Sequence, residues 1–570
     1  MYYYHSPVSP NRWELIQLAV TRILSYLRHN LDIVQKGFNM PGLRLHDLIA
    51  IGMLLTSPAL AADDVLVDFH NGTGPRAVGV IEGNEEVEPS GPAAISVGDD
   101  GTIYVLDQNN GRVLAVDGQR AQAEPEILAL PAGSTADDLA VVNNEIFVWS
   151  DGVVALENSG DNGQSRQLRA SGGEADEYTR SVFASMGSVT PGPINSVFEE
   201  IGRSAGRPAE RPTVTQYVPS RGLGEIVAQV SFPSEKRAEM LLRRATSEDS
   251  FMALSVTTEG QLGLLELLDI DTSGRSFAMA EIVPSAENQT SGIVVARFSP
   301  DGKIEQVYDL PISDKTIFSR RFVTIGPRGD VLFLRSEIGR TQVLRLAGRP
   351  AKGVLTLPKI AQIKDRPREG KAPNIAVVSK SRSQVIERAV GFEALRWTVT
   401  PSAYGRAINC ANMNRIRQPA FIIGRVGQTV KGVPYCWGCK TPLESFSSEL
   451  AKGRTAGNVC TKSAPQQRMV GVDCSAFVSD AWGLKMHVTT RGIPGIARRV
   501  ADPWSMKPGD ALNKAGSHVM LFMRYTEDRK VEVMEASPNA CKGRVCRNTY
   551  SLGTLLMRGY KPVRFKGLDS

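Results

Sequence analysis

Between residues 63 and 346 the chain alternates short apolar, β-prone runs with polar turns that carry glycine. Ala93-Ala94-Ile95-Ser96-Val97 leads into Asp99-Asp100-Gly101, and Thr102-Ile103-Tyr104-Val105-Leu106 follows. Asn109-Asn110-Gly111 then turns the chain into Arg112-Val113-Leu114-Ala115-Val116. Short strands broken by such turns predict an antiparallel meander. The unit recurs over 139–156, over 294–308 around Ser299-Pro300-Asp301-Gly302, and over 322–346 around Pro327-Arg328-Gly329-Asp330. Further on the period changes. Phe477, Val478, Ala481 and Trp482 recur at helical spacing, so a helix is predicted with Asp473 at its cap and Cys474 in its first turn. A second helix is predicted from about Pro419 to Val430. Val519-Met520-Leu521-Phe522-Met523 reads as a buried strand, and Val531-Glu532-Val533-Met534-Glu535-Ala536 reads as the strand that returns after a polar turn.

These patterns divide the chain. The repeated turn–strand units of 63–346 predict an all-β domain of radially arranged four-stranded sheets, a propeller, with a β-sandwich as the alternative. Its first unit resembles a blade of the NHL class of propellers. Residues 158–250 break the repeat with Gly, Ser, Pro and charge and read as an insertion. Residues 347–400 hold Pro358, Pro367 and Pro373 among many basic residues and read as a linker. Residues 401–570 form one α+β domain. At the other end, Met40, Arg44, the apolar run 48–55 and Pro58-Ala59-Leu60-Ala61 have the layout of a signal peptide over 40–62. The apolar run is too short to span a bilayer, so no transmembrane helix is expected in the mature chain. Residues 1–39 are then a non-native or extended preface.

Charge sharpens the division. From residue 401 onward there are 26 Lys and Arg against 11 Asp and Glu, a net +15, whereas residues 1–400 carry 40 against 49, a net −9. A basic C-terminal third fits an anionic partner. Cysteine is as uneven: all seven lie between Cys410 and Cys546. Three disulfides among Cys410, Cys436, Cys439, Cys460, Cys541 and Cys546 are expected in an oxidising compartment, with the pairing open, and Cys474 is left as the free thiol. A zinc site made by Cys436-x-x-Cys439 with Cys541 and Cys546 is the alternative; the reading adopted is no metal and no cofactor.

The chemistry converges on that thiol. At a helix start, unpaired N–H groups and the helix dipole favour the thiolate. If the turn of the following hairpin centres near Thr526-Glu527, His518 lies opposite Glu535, with Cβ atoms about 5 Å apart. A carboxylate there accepts the imidazole Nδ1–H, fixes the tautomer and leaves the other nitrogen for the thiol, which completes nucleophile, base and orienter. His487 is a rival base, and Ser475 a disfavoured nucleophile.

Tyr435-x-Trp437-Gly438, Asp473-Cys474-Ser475-x-Phe477-Val478, Pro508-Gly509-Asp510 and His518-Val519, in that order, resemble the NlpC-type family of bacterial cell-wall peptidases. The resemblance covers roughly residues 415–560. It implies a papain-like domain in which a helix bearing the Cys packs on an antiparallel sheet bearing the His. It implies Cys474 as nucleophile, His518 as general base and Glu535 as third residue, with Tyr435, Asp473 and Ser475 shaping the substrate pocket. The implied reaction is hydrolysis of the isopeptide bond between D-glutamate and a diamino acid in peptidoglycan stems, through a thioester. Cys436 and Cys439 in the Tyr435 loop, and Ala476 where the family has Gly, depart from the pattern. The expectation is therefore an exported, periplasmic or wall-associated cysteine peptidase that meets peptidoglycan or another anionic envelope polymer, with a protein or glycan ligand on the propeller and no nucleic acid. Two alternatives stand beside it. One is a thiol amidase or acyltransferase acting on another envelope molecule; the other is a propeller-based binding protein with an inactive peptidase scaffold.

Overall fold

The computed structural model describes residues 62–568 apart from 121, 151, 222 and 352 and the stretches 162–165, 171–182, 184–196, 199–212, 286–290, 358–378, 406–417 and 461–467. The preface and signal peptide expected over 1–62 lie outside these residues except at position 62, and so does Cys410.

Five four-stranded antiparallel meanders are built among the described residues. The first runs over 94–129 and the second over 138–170, their outermost strands paired in parallel. The third covers 214–258 and the fourth 261–309. The fifth takes three strands from 323–345, and Asp64–Asn71 adds its outermost strand antiparallel to Arg340–Arg345. The innermost strand Val323–Ile325 lies beside Ala94–Val97, which lies beside Asp138–Val142, and Gln261–Ile270 lies beside Val214–Ser220. This ring of sheets, closed by the first strand among the described residues, is a β-propeller. Its turns follow the local chemistry. Asp100 accepts the backbone N–H of Thr102 at 2.9 Å, and Gly101 takes the left-handed φ of 85° that completes the turn.

Strands also occupy part of 158–250, where an insertion was expected. Along Val214–Ser220 the buried positions include Val214, Gln216, Val218 and Ser220, and the outward Thr215 and Tyr217 dilute the apolar pattern. The rest of that segment lies largely outside the described residues. The linker expected over 347–400 also ends earlier than its composition implied. Ser381 caps a 13-residue helix, Arg382–Ala394, with a full capping box, and buries Val385, Ile386, Ala389 and Phe392 against the C-terminal domain.

The C-terminal domain is a six-stranded antiparallel sheet in the order Ala497–Arg499, Lys561–Phe565, Ala511–Lys514, His518–Tyr525, Val531–Ser537, Arg544–Tyr550. The Cys474–Ala481 helix packs on one face: Phe477, Val478 and Trp482 share a core with Val519, Leu521, Met523, Met534 and Ala536. The helix expected over 419–430 is absent. A single short turn, Ala420–Ile422, gives way to Gly424 and Gly427 at φ of 73° and 85°, which a helix cannot hold.

The other face of this sheet meets the propeller. Met520, Phe522, Val531 and Val533 form a core with Trp504, Tyr550 and Leu555, and the helix Leu552–Met557 rests on the fourth blade. The Arg529 guanidinium lies 4.3 Å from the Phe232 ring centroid and donates to the Leu262 carbonyl. No helix among the described residues is long and apolar enough to cross a membrane.

Candidate active site

Asp473 builds the site's first element. Its carboxylate caps the helix by accepting the Ala476 N–H at 2.7 Å and reaches back to the Gly438 N–H at 3.0 Å. Cys474 is thereby fixed at the first helical position, fully buried, as the free cysteine among the described residues. Cys436 pairs with Cys439 and Cys541 with Cys546 in disulfides, and Cys460 is disulfide-bonded as well. Four sulfurs of the zinc alternative are thus used in covalent bonds.

His518 and Glu535 come together. The imidazole meets the carboxylate through Nε2 and not through the expected Nδ1, with Nε2 and the Glu535 Oε2 2.6 Å apart and both residues buried. Leu521 pairs with Met534, so His518 and Glu535 are diagonal neighbours on one face rather than directly opposed. The turn centres on Asp528 and a bulge follows Phe522, which shifts the expected register. Burial alone would lower the His518 pKa, but the Glu535 hydrogen bond and charge outweigh it and hold it above its ordinary value. Burial likewise raises the Glu535 carboxyl, and His518, Tyr550 and Asn548 more than reverse this. Both belong to the face carrying Met520 and Phe522, and they line a cavity of about 670 Å³ between the sheet and the propeller.

The thiol makes other contacts. Cys474 Sγ lies 3.5 Å from the carbonyl oxygen of Glu86 and 3.4 Å from its Oε2, and it receives the backbone N–H of Val519, the residue after His518. No hydrogen bond joins Cys474 to His518 among the described residues, and the expected facing of thiol and imidazole is not formed: the Cys474 helix packs on the sheet face of Val519 and Leu521, whereas His518, by strand alternation, belongs to the opposite face. A thiol pKa below the ordinary value was expected from the helix start. Burial instead pushes it well up, and the charges of Glu86 and Asp473 add to the rise.

Of the expected pocket residues, Tyr435 donates its hydroxyl to the Glu86 carbonyl at 3.2 Å. Ser475 and Asp473 turn instead to His487. Its Nε2 is 2.6 Å from Ser475 Oγ and 3.2 Å from Asp473 Oδ1, and Asp473 holds the imidazole above its ordinary pKa against the effect of burial. Both Ser475 and Asp473 meet the same nitrogen, so this cluster lacks the base–orienter geometry of a second catalytic set.

Sequence reasoning missed Glu86 and Thr490. The Glu86 Oε1 accepts both the backbone N–H and the hydroxyl of Thr490, each at 2.9 Å. A turn nearly 400 positions before the thiol offers no local signal of this contact. A second cavity, of about 660 Å³, opens on the propeller beside Arg221, Asp269 and Arg321.

No family model matches the chain, and no curated protein matches it in sequence. Among solved structures, a streptogramin B lyase shares 14% identity over 45% of this chain and 65% of its own, with a TM-score of 0.16. The calcium-binding protein regucalcin from Agrobacterium tumefaciens strain C58 shares 12% over 52% of this chain and 97% of its own, with a TM-score of 0.23. A luciferin-regenerating enzyme shares 11% over 48% and 97%, with a TM-score of 0.24. These superpositions are too loose to carry an inference about chemistry, and the propeller is defined by the strand order above.

Proposed function

We propose that the chain is an exported cysteine peptidase that hydrolyses peptidoglycan stem peptides at the bond between D-glutamate and a diamino acid, its C-terminal domain being papain-like and of the NlpC type. The observation that carries this reading is the buried free thiol of Cys474 at a capped helix start, packed on the strand that begins with His518, whose imidazole pairs with Glu535 on the neighbouring strand. Disulfides in the same domain are compatible with export to an oxidising compartment.

In this reaction the Cys474 thiol loses its proton as the carbon–sulfur bond forms, and His518, whose ring lies on the other face of the sheet in this structure, takes that proton only once it has turned toward the thiol. With Nε2 engaged by Glu535, Nδ1 is the nitrogen left for that proton. The amine of the diamino acid leaves with the proton, and water cleaves the thioester to a carboxylate and restores the thiol. The basic surface of the domain suits an anionic envelope polymer.

The test is digestion of purified sacculi, with the released fragments read by mass spectrometry. Stem-peptide fragments cut after D-glutamate are expected from the chain and not from Cys474→Ala. Release of a different product would favour an amidase or acyl transferase, and unchanged cellular function of Cys474→Ala would favour a binding role for the propeller.

A further inference from the structure

The loop Gly83–Pro89 leaves the propeller and ends against the thiol. Asn84 and Val87 exchange backbone hydrogen bonds at 3.0 Å across a tight turn, and Glu86 within it takes a left-handed φ of 64°. Such a backbone costs a non-glycine L-residue about 1 kcal/mol, and a D-residue adopts it without strain. The loop is fastened on both sides of that residue. Trp437 Nε1 donates to the Glu85 carbonyl at 2.9 Å, and the Glu88 carboxylate meets the buried Arg558 at 2.9 Å. Val87 is 1% exposed within the core that also holds Cys474.

Glu86 sits there as a ligand sits in a site. One carboxylate oxygen takes both donors of Thr490, the other lies at the sulfur, and the backbone carbonyl takes the Tyr435 hydroxyl. Thr490 is prearranged for this. Its oxygen accepts the Gly516 N–H at 2.9 Å, which leaves its own proton for the ligand, and Asn513 holds its carbonyl. Two converging donors on one oxygen form a binding place for a carboxylate or for a carbonyl that gains charge.

We propose that Thr490, with Tyr435, frames a subsite for the side-chain carboxyl of a D-glutamyl residue beside Cys474, and that Glu86 fills this subsite as a product mimic until the Gly83–Pro89 loop withdraws. This rests on the peptidase reading above for the identity of the incoming ligand. When that ligand is a γ-glutamyl amide, the Cys474 sulfur bonds to the side-chain carbonyl carbon. The carbonyl electron pair moves to the oxygen gripped by Thr490, then returns to expel the amine, which carries off the thiol's proton.

The experiment reads thiol exposure, so it does not depend on turnover. Alkylation of Cys474 by iodoacetamide is followed by mass spectrometry in the full chain, in Glu86→Ala, and in Glu86→Ala combined with Thr490→Val or Thr490→Ser. Glu86→Ala is expected to speed alkylation at least tenfold, and D-glutamate is expected to slow it again. That protection should vanish with Thr490→Val and persist with Thr490→Ser, which keeps both donors. Alkylation unchanged in Glu86→Ala, or D-glutamate protection absent or indifferent to Thr490→Val, overturns the proposal. If these outcomes hold while no variant cuts sacculi, the subsite stands and the peptidase reading fails instead.

Discussion

His518 Nε2 lies 2.6 Å from Glu535 Oε2, and the other Glu535 oxygen accepts from Asn548 at 2.8 Å and Tyr550 at 2.6 Å. The carboxylate is therefore held on both oxygens and in turn holds the imidazole. Glu535→Gln keeps the shape and removes the charge, so in the proposed peptidase reaction kcat should fall roughly 10²-fold or more. The His518 pKa should drop, which moves the corresponding limb of the pH profile to lower pH. Stability changes with a definite sign. His518 sits above its ordinary 6.5, so its contribution is complete below that pH and fades as pH rises through the raised value. Glu535 sits below its ordinary 4.5, so its contribution is complete above that pH and fades on acidification. Glu535→Gln should thus be most destabilising between about pH 4.5 and 6.5. Thermal midpoints across that range check it, and a loss of stability that is the same at every pH would sink it.

The Cys541–Cys546 disulfide closes the turn between the Glu535 strand and its outer neighbour, and Asn548 Nδ2 touches both sulfurs as well as Glu535. Closing so short a loop restricts the unfolded chain by about 2 kcal/mol. Replacing both cysteines with serine should lower stability by about that amount. Alkylation of Cys474 should not speed up, because the thiol is covered from the propeller side by Glu86 rather than by this turn.

Much of this was legible in the sequence. The Asp99-Asp100-Gly101 and Ser299-Pro300-Asp301-Gly302 turns mark blade strands because left-handed glycines and turn carboxylates act locally. The Asp473 cap and the apolar face of Phe477, Val478 and Trp482 mark their helix for the same reason. Contacts between distant segments were not legible. The Thr490 grip on Glu86 joins residues 404 positions apart, and a Glu-rich turn looks like any solvated turn until the domain that covers it is in place. The Arg382–Ala394 helix was hidden by its basic surroundings, although its Ser381–Gln384 capping box is a local signal that could have found it.

Phe69 tests the propeller's closure. It is fully buried on the strand that completes the fifth blade, packed with Val67, Val78 and Ile103. Phe69→Ala should cost about 3–5 kcal/mol, and the ring should open where that strand meets Arg340–Arg345. Limited proteolysis should then cut near residues 64–71 first. Cleavage that begins in the C-terminal domain instead would contradict a closure made by this strand.

Glu281 tests how the domains are docked. It is 1% exposed on the fourth blade, where its carboxyl accepts the Gly553 N–H at 3.2 Å and the Ser551 hydroxyl at the start of the helix Leu552–Met557. Burial pushes its carboxyl up to about 8, and neighbouring Glu266, itself pushed up to about 7, adds to the rise. An acid whose folded pKa is raised binds more protons folded than unfolded, so stability falls as pH climbs from its ordinary 4.5 through about 8. Docking should be firmest near pH 5. Glu281→Gln keeps an acceptor for Gly553 and removes the titration, so it should change little at pH 5 and stabilise by about 3–5 kcal/mol at pH 9. Thermal midpoints of both proteins at the two pH values decide it. A Gln variant that is equally destabilised at both would mean that Glu281 holds the helix as an anion and not as a neutral acid.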